Sequence, residues 1–234
     1  MLKFTLRFSV LAILFSMTLT AKLKNIKKVK KATVLIKAYK FKGRQIDLSL
    51  VPREFQGFVK ETPTEIELID QFTGVILSHT GEVVSELEPI LKADFLELYY
   101  SDGSFYNNFK YPDQINLKHY NKGDNTALIS VKDVTKAISL VYMSGGRKVA
   151  LQDKVNVIYQ DPDHGFSCQT LEVTNIPHDL NSLQKGKYFI THGKSTTTVM
   201  QGAYATNDKG IVIGLIDSRF SEEKKLVFLD SKKF

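Results

Sequence analysis

The chain has 234 residues, of which 43% are hydrophobic and 24% are charged, and its formal net charge is +7. This composition excludes a disordered tail, a collagen-like repeat and a small scaffold held together by disulfides. The length fits one or two domains, and no motif in the sequence specifies a reaction.

The first 21 residues have the three parts of a secretory signal peptide. A basic start, MLKFTLR, precedes the apolar run Phe8–Leu19 and the small residue Ala21. Cleavage after Ala21, or alternatively after Thr18, predicts a secreted or periplasmic protein. The competing interpretation is a membrane anchor, but the run is shorter than the ~20 residues of a spanning helix. No later stretch is long and apolar enough to span a bilayer, so we expect no transmembrane segment in the mature chain.

The mature chain begins with a basic segment that an acidic one follows. Residues 22–53 carry eleven Lys/Arg and one acidic residue, whereas residues 54–102 carry eleven Asp/Glu and two Lys. The densest cluster predicts contact with an anionic surface, and its members are Lys22, Lys24, Lys27, Lys28, Lys30 and Lys31. The alternative is that this basic arm docks on the acidic block 54–102 within one fold.

Most of the remaining chain alternates polar and apolar residues in short runs between turn residues, which is typical of antiparallel β-strands. Ala32–Phe41 and Leu96–Tyr100 are examples, and Asp102-Gly103 between two apolar runs indicates a β-hairpin. Helix signals are few. Residues 22–31 fit a short basic amphipathic helix, and Glu86–Leu98 is a second candidate.

The spacing of the strands predicts an all-β protein, an antiparallel β-sandwich with little helix. Residues 22–120 are expected to form a β-rich unit with a basic start and an acidic middle. Residues 121–234 are expected to form an immunoglobulin-like sandwich, because Tyr188 enters a strand from a tight corner. One continuous β-domain over residues 22–234 is the alternative.

Familiar catalytic motifs are incomplete. The run Gly165-Phe-Ser167 starts like a nucleophile elbow, but Gln169 stands where the second glycine is needed. The five histidines have no metal-ligand spacing, and the single cysteine, Cys168, cannot form an internal disulfide. The sequence therefore favours a protein that is not an enzyme, without deciding the point.

The densest group of polar side chains lies around residues 161–168. Asp161 and Asp163, with Gly165 soon after, offer oxygens of the kind that Ca²⁺ prefers. An ordinary turn, or a thiolate–imidazole pair of Cys168 with His164, are the other interpretations. No other cofactor is predicted.

Aromatic residues concentrate between positions 95 and 120. Around a tight hairpin, alternation sends some rings outward, and exposed tyrosines give rigid amphipathic contact area. The predicted ligand-binding side chains are Tyr99, Tyr100, Tyr106, Tyr111 and Tyr120. The alternative is that these rings only fill the core.

Together these features predict an exported, non-catalytic binding or adhesion protein. Its expected partner is an anionic polysaccharide, a lipid headgroup surface or another protein. A small secreted enzyme on an anionic polymer, resembling a polysaccharide lyase, is the alternative; Lys37, Lys40, Arg44, His119 and Tyr120 have the residue types for it. Action at a membrane surface is a further alternative, and nucleic acid is not expected, because no motif organises the basic residues.

Overall fold

The structure is a computed structural model, and it describes residues 25–44, 63–132, 134, 139–140, 150–161, 165–175, 188–192, 201–217 and 224–227. The predicted signal peptide 1–21 lies outside the described residues. So do Lys22, Lys24 and Asp163. Among the described residues no helix is long and apolar enough to cross a membrane.

Seven strands form the first sheet, in the order β5-β4-β1-β2-β3-β7-β6. Its strands are β1 (Thr33–Arg44), β2 (Pro63–Ile76), β3 (Val83–Glu86), β4 (Phe95–Tyr99), β5 (Phe105–Asn107), β6 (Ile115–Asn121) and β7 (Thr126–Val131). Two short helices accompany it, α1 over residues 25–31 and α2 over Glu88–Lys92.

The remaining six strands close into a barrel, in the order β10-β13-β12-β11-β8-β9. They are β8 (Lys154–Asp161), β9 (Gly165–Asn175), β10 (Tyr188–His192), β11 (Tyr204–Thr206), β12 (Val212–Asp217) and β13 (Lys224–Val227). Every pairing between the described strands of both sheets is antiparallel. The prediction of an antiparallel all-β fold with little helix is confirmed.

The chain leaves the first sheet after β7 and enters the barrel at β8. Strand β7 pairs with β3 and β6 and so belongs to the first sheet, although it lies after residue 121. The division into units at residues 22–120 and 121–234 stays a prediction, and so does the immunoglobulin-like corner, since the Tyr188 side chain is not described.

Local sequence explains the first sheet. In β1, Val34, Ile36 and Ala38 are fully buried and alternate with half-buried side chains, because successive residues of a strand point to opposite faces. The predicted Asp102-Gly103 hairpin is confirmed: Tyr99 pairs with Phe105, and Gly103 takes a φ of 88°. The Asp102 carboxylate accepts hydrogen bonds from the Ser104 N–H and hydroxyl.

The predicted helix Glu86–Leu98 is wrong in its length. Only Glu88–Lys92 is helical, with Pro89 in the first turn, where its missing N–H costs nothing. Residues Phe95–Tyr99 form β4 instead, because their alternating apolar side chains pack against β1. Tertiary burial therefore overrides the helical spacing.

The two sheets meet in a region that we call the seam, where β1, β2 and β3 face β8, β11 and β12. All six residues of β12 are buried, since one face lines the barrel and the other covers the first sheet. Polar groups also cross the seam. The hydroxyls of Thr33 and Tyr204 lie 2.8 Å apart, and the Gln160 N–H donates to the Thr73 hydroxyl at 2.8 Å.

Candidate functional site: the basic helix and the groove beneath it

The sequence predicts a short basic helix over residues 22–31. Within the described residues this helix is α1, which covers 25–31. Val29 is only 4% exposed and packs into the core, whereas Ile26 is 39% exposed. The Val29 carbonyl accepts hydrogen bonds from the Thr33 hydroxyl at 2.8 Å and the Tyr204 hydroxyl at 3.3 Å. The helix is therefore fastened to both sheets through its last turn.

The lysines of α1 point away from this anchor. Lys27, Lys28, Lys30 and Lys31 are all exposed, and none of them forms a salt bridge among the described residues. Carboxylates of the acidic block have other partners: Glu67 pairs with Lys42, and Glu82 pairs with Lys118. The hydrogen bond from Lys118 is the main reason that the pKa of Glu82 is lowered. The described part of the basic arm thus keeps its charge at the surface.

A groove of about 670 Å³ lies between α1 and the outer face of the barrel. Ile26 and Val29 line it from α1, and Ile158 and Phe166 line it from β8 and β9. The turn at residues 207–210 completes the wall. A volume of this size matches typical small-molecule sites, which range over about 300–1,000 Å³.

The alternation of β8 and β9 builds the floor of the groove. Val155, Val157 and Tyr159 pack inside the barrel, so Asn156 and Ile158 face outward. Ile158 is the register partner of Cys168, and Asn156 is the partner of Thr170. Cys168 is exposed and lines the groove.

The turn at 207–210 holds α1 in place. The Asn207 side chain accepts hydrogen bonds from the backbone N–H groups of Lys209 and Ile211, both at 3.0 Å. Gly210 takes a φ of 73°, which closes the turn. The Asn25 side-chain amide donates to the Asp208 carbonyl at 3.1 Å, linking helix and turn.

Sequence analysis identified the lysines and Cys168 but missed Ile158, Phe166 and Lys209. Phe166 receives the Lys30 ammonium over its ring, 5.8 Å from the centroid. The usable signal was the period of two in β8 and β9, which leaves apolar side chains on the outward face of the barrel. That signal does not say which element covers the face.

The structure separates the five predicted tyrosines. Tyr99 lies on the outer face of β4, with the Lys37 ammonium 5.0 Å from its ring centroid. Tyr100 is 8% exposed and donates to the Gly81 carbonyl at 3.2 Å, while Tyr106 packs edge-on against it. Tyr111 and Tyr120 are 55% and 56% exposed, on the loop before β6 and on β6. These rings form no single face, and their ligand-binding role stays a prediction.

Four tyrosines are expected to ionise late in an alkaline titration. Burial, followed by a hydrogen bond to the Glu97 carboxylate, raises the pKa of Tyr99 to about 12 and raises that of Tyr39 further. Burial also raises the pKa of Tyr100 and of Tyr204. Since the folded-state values lie above the ordinary 10.0, their stabilising contribution is complete below pH 10 and is lost as pH rises further.

Ultraviolet difference spectroscopy checks this titration. We expect at least four of the ten tyrosines to ionise only together with alkaline unfolding, as monitored by circular dichroism. Ionisation of all ten near pH 10 in a still-folded protein would contradict the burial and hydrogen bonding of these side chains.

The other predicted groups are not gathered into one site. Asp161 ends β8 opposite Gly165, and Asp163 lies outside the described residues, so the calcium site stays a prediction. No three His, Cys, Asp or Glu side chains come together as a metal site within the described ranges. Lys37 lies on β1 and His119 and Tyr120 lie on β6, with β2, β3 and β7 between them in the sheet order.

A second polar cluster fills the seam. Glu86 is 1% exposed, and its carboxylate accepts hydrogen bonds from the Asn125 amide at 2.8 Å and from the Gly202 N–H at 2.9 Å. The side-chain oxygen of Asn125 accepts a hydrogen bond from the Glu88 N–H at 2.9 Å. We call Glu86, Asn125 and Gly202 the seam network. It joins β3, the turn after β6 and the turn before β11.

Comparison with solved structures shows the fold. The chain is similar to the HtrA-type protease AlgW with a decapeptide, with a TM-score of 0.63 at 12% identity, over 88% of this chain and 63% of that one. It is equally similar to a serine-to-alanine variant of that protease with a decapeptide, with a TM-score of 0.62 at 11% identity and the same coverage. The chain thus spans less than two thirds of these structures. No protein-family model and no curated protein matches it.

Proposed function

We propose that this protein is an exported, non-catalytic binding protein that presents the lysines of α1 to an acidic polysaccharide. The observation that carries the proposal is the arrangement of α1. Val29 and its carbonyl fasten the helix to both sheets, while Lys27, Lys28, Lys30 and Lys31 stay exposed and without acidic partners among the described residues. Cations fixed on a rigid element attract a polyanion without the cost of ordering a flexible tail.

The seam network supports a non-catalytic role. Serine proteases need a carboxylate that orients a histidine, which in turn activates a serine. In this chain a buried carboxylate of the seam, Glu86, accepts hydrogen bonds from the Asn125 amide and the Gly202 N–H. The two histidines whose side chains are described, His79 and His119, are both exposed.

The export part of the proposal rests on residues 1–21 alone, which have the features of a signal peptide. It fits the partner class, because acidic polysaccharides are abundant at cell surfaces. Sequencing the amino terminus of protein from its native host tests this part: a mature start near Lys22 supports export, and an intact Met1 contradicts it.

The lysines are tested by substitution rather than by truncation, since removing residues 22–31 would also remove the Val29 anchor. A Lys27→Gln, Lys28→Gln, Lys31→Gln variant should bind immobilised heparin at least tenfold more weakly than the parent in low salt. Raising the salt should weaken the parent steeply, because the Debye length falls from about 10 Å at 0.1 M to about 3 Å at 1 M.

The matched control is Lys40→Gln, Lys110→Gln, Lys132→Gln, which removes the same charge from exposed positions away from α1. It should keep most of the affinity. Equal losses in both variants would show that only net charge matters and would contradict the role of α1. Depolymerisation of the polysaccharide by the protein would overturn the non-catalytic part and favour the lyase-like alternative.

A further inference from the structure

The groove beneath α1 has features of a ligand site that are separate from the surface lysines. Its volume of about 670 Å³ is large enough for a drug-sized molecule. Its apolar lining comes from Ile26 on α1 and from Ile158 and Phe166 on the barrel, of which Ile26 is exposed, Phe166 is half-buried and Ile158 is buried. Apolar surface left open to water in a concave site favours an apolar ligand body.

Polar groups of the groove are largely committed to the protein. The Thr170 hydroxyl donates to the Asn156 side-chain oxygen at 3.0 Å. The Asn207 side-chain oxygen accepts two backbone N–H groups. Because these oxygens already have partners in the protein, they favour a ligand that relies on few polar contacts with them.

The charged side chains around the groove indicate which charge the polar group of the ligand carries. The Lys30 ammonium stands over the ring of Phe166, which lines the groove, and Lys209 lines the groove itself. Asp208 is the one acidic residue that lines the groove among the described residues. Two ammonium groups against one carboxylate favour an anion.

We infer that the groove binds a monomeric amphipathic anion of the fatty-acid class, with its carboxylate near Lys30 and Lys209 and its alkyl chain on Ile158 and Phe166. The apolar side chains line a concavity beneath the helix rather than project from it. This geometry fits one enclosed alkyl chain better than the surface of a membrane. This site shares only Lys30 with the proposed polysaccharide surface, which is tested on Lys27, Lys28 and Lys31.

Calorimetry with decanoate tests the inference on the full mature chain. We expect one saturable site, with octanoate roughly 15-fold weaker, because two fewer methylenes remove about 1.6 kcal/mol of transfer free energy. Decan-1-ol, which lacks the charge, should bind at least tenfold more weakly, and acetate should not bind. Substitution of Lys30 and Lys209 by Gln should lower the affinity for decanoate to the affinity for decan-1-ol.

A second readout uses the only cysteine of the chain. Cys168 is exposed and lines the groove, so bound decanoate should slow its alkylation by iodoacetamide, a neutral reagent. Filling the groove with Cys168→Phe should abolish decanoate binding. The control Thr174→Phe places the same ring at an exposed position of β9 outside the groove and should leave binding unchanged.

Undiminished decanoate binding by Cys168→Phe, or no protection of Cys168 in the parent, would overturn the inference. Binding to anionic vesicles without binding of monomeric decanoate would do the same and assign the helix to membranes. Two cross-tests separate this inference from the proposed function. Cys168→Phe should still bind heparin, and the Lys27→Gln, Lys28→Gln, Lys31→Gln variant should still bind decanoate.

Discussion

Substitution of Gly202 by Ala is expected to unfold the protein or lower its stability severely. Gly202 has a φ of 65°, a left-handed conformation that costs a side chain roughly 1–2 kcal/mol. Its Cβ would lie 2.1 Å from the Thr73 carbonyl oxygen and 2.8 Å from the Ser85 hydroxyl, which is itself hydrogen-bonded to that carbonyl. Relieving the overlap means moving the backbone of β2 or the turn before β11, so we expect a total loss of roughly 3–5 kcal/mol.

Gly103→Ala is the matched control for this prediction. Gly103 also has a positive φ, 88°, but a Cβ there would meet no atom within 4 Å. It should therefore lose only the conformational part, about 1–2 kcal/mol. Urea unfolding monitored by circular dichroism measures both variants. Similar losses at the two positions would mean that the seam is not packed as closely as described.

Removal of the Glu86 carboxylate has the second large expected effect. In Glu86→Leu the Gly202 N–H and the Asn125 amide lose their acceptor inside a buried site, and each unpaired buried donor costs about 1–3 kcal/mol. We expect a loss of about 3–5 kcal/mol. Glu86→Gln should lose less, because its amide keeps one acceptor oxygen while presenting an NH₂ group to one of the two donors.

Glu88→Leu is the control, two residues along the chain. Glu88 is exposed and pairs with Lys92 on the surface of α2, where ion pairs contribute little. Its stability should stay close to that of the parent. A double variant gives a further check: because Asn125 and Glu86 share one hydrogen bond, the losses of Asn125→Ala and Glu86→Leu should add up to less than their sum, although Asn125→Ala also loses the bond to the Glu88 N–H. Fully additive losses would argue against the network.

Much of the fold was predictable from local patterns. Alternation of apolar residues identified strands such as Ala32–Phe41, because in a sheet with one buried face the period of two is imposed by the pleat. The turn at Asp102-Gly103 was predictable because few other residues tolerate a positive φ. Alternation failed to exclude a helix over Glu86–Leu98, where helical spacing and strand spacing coincide over a short apolar run.

For the candidate site, the sequence determined the properties of the single elements, and the tertiary structure determined how they come together. The sequence determined that α1 is basic and amphipathic, since lysines and spaced apolar residues in one short segment define both properties. It also determined that β8 and β9 have apolar residues on two faces. Only the tertiary structure decided that α1 covers the outer face of these strands, which lie more than 120 residues further along the chain.

Local sequence patterns could not predict the seam network either. Glu86, Asn125 and Gly202 come from distant parts of the sequence, and an isolated Glu in a strand is ordinarily exposed. Composition and periodicity determined the all-β class, the basic helix and the hairpin, because each depends on neighbours within a few residues. The groove and the buried carboxylate depend on which faces meet when the two sheets pack, and that choice minimises apolar exposure over the whole molecule rather than along any one segment.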